Sequence, residues 1–171
     1  MAVTLVEKYN HEWPKCFEEI KAFLGDKVSK ACIQIEHVGS TAVPEMTAKP
    51  IIDLILVIEP QDFEEIKGLL SKRGYYHQGD LGIKDRDAFD LKDMSLKSPV
   101  PHHHLYVCPK HSYELKKEIA FRDFLRQSQE YAERLSELKW SLAEDFNNDR
   151  EAYMEGKAEL CREITEIALK H

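Results

Sequence analysis

Residues 51–58, IIDLILVI, form an almost continuous apolar and mostly β-branched run, broken by one carboxylate, Asp53. Such a run reads as a strand buried on both faces, in the middle of a sheet. A carboxylate inside that strand needs a partner, because a buried ionised group is costly unless it is paired, hydrogen-bonded or bound to a metal. The chain therefore has to supply a covered sheet and a chemical reason for Asp53.

The flanking pattern supplies the layers. Pro14 suits the first turn of a helix, Phe17, Ile20, Phe23 and Leu24 follow at helical spacing, and Gly25 closes the run. Residues 32–38, CIQIEHV, alternate as a strand with Ile33, Ile35 and His37 on its buried face. Residues 62–73 read as a helix with Phe63, Ile66, Leu69 and Leu70 on one side and Gly74 at its end. Tyr75 and Tyr76 begin another strand, and 79–99 is charged and turn-rich, a hairpin or a mobile loop. His104 to Val107 is a strand ended by Pro109. From Ser112 the pattern is helical to the end, in about three pieces broken near Gln127–Gln129 and Asn147–Asp149, with Asp149 as an N-cap. The expected fold is α+β, a mixed β-sheet with flanking helices followed by a helical C-terminal part.

Composition narrows the function classes. With 171 residues and 43% hydrophobic content the chain has material for one core. Its 24 Lys and Arg stand against 31 Asp and Glu, a formal charge of −7, which argues against general nucleic-acid binding. No run approaches the ~18 apolar residues of a membrane span. The N-terminal sequence lacks a basic stretch followed by an apolar one, so a cytoplasmic protein is expected. Cys16, Cys32, Cys108 and Cys161 show no metal-finger spacing and read as small buried hydrophobes. Neither a P-loop nor a G-x-S-x-G elbow is present.

The chemistry concentrates in 36–58, EHVGSTAVPEMTAKPIIDLILVI. Gly39 permits a tight turn with N–H groups open to an anion, Ser40 and Thr41 add hydroxyls, and Lys49 adds a positive charge. A phosphate cradle with Mg²⁺ on Asp53 accounts for these features together. The competing reading has Ser40 and Thr41 capping a short helix and Asp53 paired with Lys49 or an arginine. His102 and His104 alternate on one strand face, and Asp80, Asp85, Asp87, Asp90 and Asp93 crowd the preceding segment. Together they offer a His/Asp metal site suited to Mn²⁺ or Zn²⁺, or else a packed histidine, a solvated one and an exposed acidic loop. Lys116, Lys117, Arg122, Arg126, Arg134, Lys139 and Lys157 are interleaved with Glu118, Asp123, Glu130 and Glu133, the pattern of a solvated helix face.

The segments YNHEWPKCFEE, IEHVGSTAVP, AKPIIDLILVI, HHHLYVCP, IAFRDFLR and YMEGKAEL span nearly the whole chain. Through them the sequence resembles the GrpB family, which also occurs fused to some dephospho-coenzyme A kinases. That family is similar to the nucleotidyltransferase superfamily, whose pattern is Gly-Ser at a strand–helix turn and Asp-x-Asp or Asp-x-Glu on the next strand. The resemblance places the turn at Gly39-Ser40 and the first carboxylate, catalytic and metal-binding, at Asp53. At the second carboxylate's position this chain has Ile55, and Glu45 stands where family members tend to have Gly. The resemblance implies a single GrpB-like domain over 1–171, with a nucleotidyltransferase-like core to about 110 and a helical extension over 111–171.

The expectation is a protein that binds a nucleotide or another phosphate-containing metabolite through Gly39, Ser40, Thr41, Lys49 and Arg122. Mg²⁺ or Mn²⁺ would sit on Asp53, His102 and His104. Metal-dependent nucleotidyl transfer is open, because two-metal chemistry needs several carboxylates. The alternative is a non-catalytic accessory module whose helical part docks another protein, tied to coenzyme A metabolism only through the fusions.

Overall fold

A computed structural model of the chain describes residues 6–97, 99–146 and 149–171. Among the described residues five strands are present, β1 (Gln34–Val38), β2 (Ile52–Ile58), β3 (Tyr75–Gly79), β4 (Asp87–Leu91) and β5 (His103–Pro109). They form one sheet in the order β1-β2-β5-β4-β3. Only β2 and β5 run parallel; the other neighbours are antiparallel. The apolar run is a central strand, as its composition requires, flanked by β1 and β5.

Alternation along β2 divides the molecule into two packed layers. Ile52, Leu54, Leu56 and Ile58 face a core built with α1 (Trp13–Leu24), α2 (Asp26–Ala31) and α3 (Phe63–Lys72), through Trp13, Ile20, Leu24, Val28, Ile66 and Leu70. Ile55 and Val57 face the other way, against Val38, Cys108 and Leu115, the last on α5 (Tyr113–Gln127). Asp53 shares this second face, at the end of the strand.

The segment 79–99 contains the second strand of a hairpin, β3 with β4, and a short helix α4 (Met94–Lys97). The reading of Ile33 as buried is corrected: β1 begins at Gln34, two residues after the expected start, and Ile33 is 47% exposed. The C-terminal helices are α5, α6 (Gln129–Asp145) and α7 (Arg150–Leu169), broken at Ser128 and again before Asp149. Asp149 caps α7 by accepting from the Ala152 N–H at 3.0 Å. Asn147 and Asn148, in the second expected break, lie outside the described residues.

These helices are anchored on the turn that follows β1. Val43 and Met46 pack with Leu125, Leu135 and Ile164. Arg126 donates to the Ala42 carbonyl at 2.9 Å, and the Thr47 N–H donates to Ser136 Oγ at 3.0 Å. Glu45 within this turn has φ 68°, in the left-handed region that favours glycine. No helix of the described residues is long and apolar enough to cross a membrane.

Candidate functional site

The antiparallel register sets Val38 opposite Asp53, so the turn leaving β1 begins beside that carboxylate. Gly39 sits there with φ 76° and ψ −174°, a combination essentially restricted to glycine. A side chain would not fit in any case, because a Cβ on Gly39 would lie 2.5 Å from Asp53 Oδ2. Ser40–Ala42 then form one 3₁₀ turn. The parallel register sets His104 of β5 beside Asp53, and their side chains meet at 3.0 Å between Nδ1 and Oδ1.

Over these residues lies a cavity of about 250 Å³. Its floor is the open end of the sheet, with Asp53, Ile55, His104 and Tyr106. Its roof comes from the C-terminal helices, with Glu118 of α5, Lys139 of α6 and Arg150, Tyr153 and Lys157 of α7. Ser40, Thr41, Lys49 and Arg86 complete the rim.

Five cationic side chains therefore converge on two carboxylates. Among the described residues none of the five, Lys49, Arg86, Lys139, Arg150 or Lys157, makes an ion pair within 4.0 Å. Lys139 is the deepest, 3% exposed, with its Nζ donating to Ser40 Oγ and, at 3.3 Å, to the Thr47 carbonyl. Burial, with Lys157 nearby as the next cause, brings its pKa down to about 7. Lys49 and Lys157 each stand 5.2 Å from the centre of the Tyr153 ring, which holds both cations by its π face. Burial depresses both, Lys49 further through Lys157. Arg86 stacks on Tyr106 at 4.4 Å, and its Nε is buried without a hydrogen-bond partner among the described residues. Burial, then the charges of Glu114 and Asp53, push Glu118 up to about 7. The arrangement holds surplus positive charge around a serine hydroxyl, which suits an anionic ligand.

Of the residues named from sequence, Ser40, Thr41, Lys49, Asp53 and His104 line this cavity, and Gly39 packs beneath it on Asp53. The Thr41 hydroxyl is 2.9 Å from His37 Nε2, which occupies it away from the cavity. Arg122 is not in the lining. It is 8% exposed and clamps α5 to β1, donating to Glu36 at 2.5 Å, to the His37 carbonyl at 3.0 Å and to Asp123 at 2.9 Å. Its Nε and Nη1 therefore donate inside the fold and hold α5 on β1. His102 is also outside the lining, facing a neighbouring groove with Asp90, Lys97 and His103.

The acidic segment is likewise engaged locally. Asp87 pairs with His77 at 2.7 Å, Asp90 with Lys97 at 3.2 Å and Asp85 with His111 at 3.7 Å. Asp80 and Asp93 accept from the N–H groups of Gly82 and Ser95. Among the described residues no group of three or more His, Cys, Asp and Glu is placed to hold a metal ion.

Lys139, Lys157, Arg86, Arg150 and Glu118 were not put forward by the sequence as site residues. Lys139 carried a legible signal: it lies four residues after Leu135 and three before Leu142, both buried, so it sits on the apolar face of α6. Arg86 and Arg150 carried none, since only the folding of their segments over β2 and β5 brings them in.

The family model for GrpB protein matches residues 3–167. The chain belongs to the GrpB family. It is 33% identical to UPF0157 protein BH1888 of Halalkalibacterium halodurans, covering 98% of this chain and 83% of the relative. It is 31% identical to UPF0157 protein YqkA of Bacillus subtilis, covering 94% of this chain but only 46% of that protein. The crystal structure of GrpB from Enterococcus faecalis superposes with a TM-score of 0.82 at 28% identity, over 96% of this chain and 97% of that one. The Cid1 poly(U) polymerase, solved with MgGTP bound, superposes with a TM-score of 0.54 at 11% identity, over 80% of this chain and 44% of Cid1. At that identity the likeness is one of fold, and it places this GrpB protein in the nucleotidyltransferase-like architecture.

Position 55 tests whether the metal chemistry of that architecture fits. Ile55 is on the face of Asp53, 1% exposed and packed with Val38 and Val57. The second carboxylate of the strand pattern is thus replaced by core, and β2 does not supply a two-carboxylate metal centre.

Proposed function

We propose that this GrpB protein binds a nucleotide or another phosphate-containing metabolite in the cavity between the Gly39–Ala42 turn and helices α6 and α7, acting in the cytoplasm. The observation that carries the reading is the group of five cations lining one cavity with Ser40, without carboxylate partners among the described residues, in a chain whose net charge is −7. What marks the set is its convergence on one cavity, with Lys139 buried there against Ser40, which makes a place prepared for an external anion. The nucleotidyltransferase-like architecture supports the nucleotide end of that range, since the Cid1 polymerase of that fold was solved with MgGTP.

The test is thermal unfolding against a panel of nucleotides and coenzyme A precursors, each with Mg²⁺, with Mn²⁺ and with chelator. A ligand at one hundred times its dissociation constant stabilises the folded state by about 2.7 kcal/mol. For a chain of this size that raises Tm by about 5–10 °C. A shift that disappears in Lys139→Met assigns the ligand to this cavity. Absence of any shift across the panel counts against the reading.

A further inference from the structure

We infer that the cavity takes its phosphate group without a divalent cation, the positive charge coming from Lys139 and the unpaired cations around it. The inference rests on the phosphate-binding reading above and goes further by naming what neutralises the ligand.

Three observations converge on it. First, the position that would complete a metal centre is filled by Ile55, buried between Val38 and Val57, and Asp53 is already engaged by His104 at 3.0 Å. Secondly, Lys139 is buried with a hydroxyl and a carbonyl as its partners, and no carboxylate within 4.0 Å among the described residues. An ammonium so placed is unfavourable unless an anion joins it or it gives up its proton. Its depressed pKa expresses that cost. Thirdly, Arg86, at the rim of the same cavity, keeps a buried Nε without a partner among the described residues. Arg86 and Lys139 line the same cavity as the Ser40 hydroxyl, and guanidinium and ammonium donors together match the tetrahedral oxygens of a phosphate group. Phosphate held in this way would have its charge met by protein donors, leaving Asp53 as a source of repulsion.

That last point separates the two charge arrangements by sign. If a metal bridged Asp53 and the phosphate, removing the carboxylate would weaken binding. With protein cations alone, removing it relieves repulsion and strengthens binding.

The experiment is titration calorimetry of the full chain with pyrophosphate and with ADP, each in excess EDTA and in excess Mg²⁺. The variants are Asp53→Asn and Lys139→Met, and thermal melts confirm that both fold. The expected dissociation constants in EDTA and in Mg²⁺ agree within about threefold, less than 1 kcal/mol. Asp53→Asn tightens binding about fivefold, the effect of removing one charge several ångströms away in a partly screened site. Lys139→Met weakens binding about tenfold or more, the loss of one charge-assisted hydrogen bond. Binding that vanishes in EDTA, or in Asp53→Asn, overturns the inference and leaves the phosphate-binding reading intact. Binding of neither probe in either condition removes both.

Discussion

Replacing Gly39 by alanine tests how the turn and the carboxylate are built against each other. At φ 76° and ψ −174° a residue with a Cβ carries backbone strain of about 1–3 kcal/mol. The new Cβ would also stand 2.5 Å from Asp53 Oδ2 and 3.3 Å from its Cβ and Cγ. Asp53 cannot simply rotate away without giving up His104, so the overlap adds about 1–3 kcal/mol of packing strain. Reduced freedom of the unfolded chain returns about 0.4–1 kcal/mol. The expected net loss is about 2–4 kcal/mol, and a fall in Tm of about 5–15 °C follows for this chain length. Urea unfolding followed by two probes, with the slope m unchanged, measures it. A loss below about 0.5 kcal/mol would refute the reasoning, because it would mean that the turn relaxes without cost and that Gly39 does not constrain Asp53.

The remaining predictions concern the charges. Lys139 has its folded pKa lowered to about 7 from 10.5, so between those values the unfolded chain holds a proton that the folded chain lacks. Ligand-free stability therefore rises with pH, and the Lys139-dependent rise is on the order of 2–3 kcal/mol between pH 7 and 9. Lys49 and Lys157 act with the same sign, so the quantity to measure is the difference in slope between wild type and Lys139→Met by urea titration at several pH values. Lys139→Met should also match or exceed wild-type stability near neutral pH, since an apolar side chain replaces a buried unpaired charge. Arg122→Ala should lose about 3 kcal/mol of stability by leaving Glu36 without its partner, while affinity for pyrophosphate stays within about twofold. Chemical denaturation and calorimetry on the same sample separate the two effects. Ser40→Ala should weaken pyrophosphate binding about five- to tenfold and cost about 1–3 kcal/mol of stability, because it removes one of the two partners of buried Lys139.

Much of the architecture was legible in the sequence because it rests on local periodicity. The run 51–58 required a covered central strand, the spacing of Phe17, Ile20 and Leu24 required a helix, and the three C-terminal helices were separated by their polar breaks. The turn at Gly39 and the carboxylate at Asp53 were equally visible, since each is a local exception to its surroundings. What the sequence could not supply was the sharing of one cavity by residues far apart in the chain. Arg122 and Lys139 both stand among alternating charges, and only the docking of the helices sets one clamping α5 to β1 and the other at Ser40. His102 and His104 share an alternation, yet only His104 reaches Asp53, because the parallel register of β5 on β2 puts those two side by side. The aspartates of 80–93 could serve a metal or a loop on paper, and the hairpin engages them with His77, Lys97 and His111 or with backbone N–H groups. Periodicity is a property of neighbours along the chain and determines which faces are buried. Where a charge ends up depends on strand register and helix docking, which are set by packing between segments and so belong to the tertiary structure.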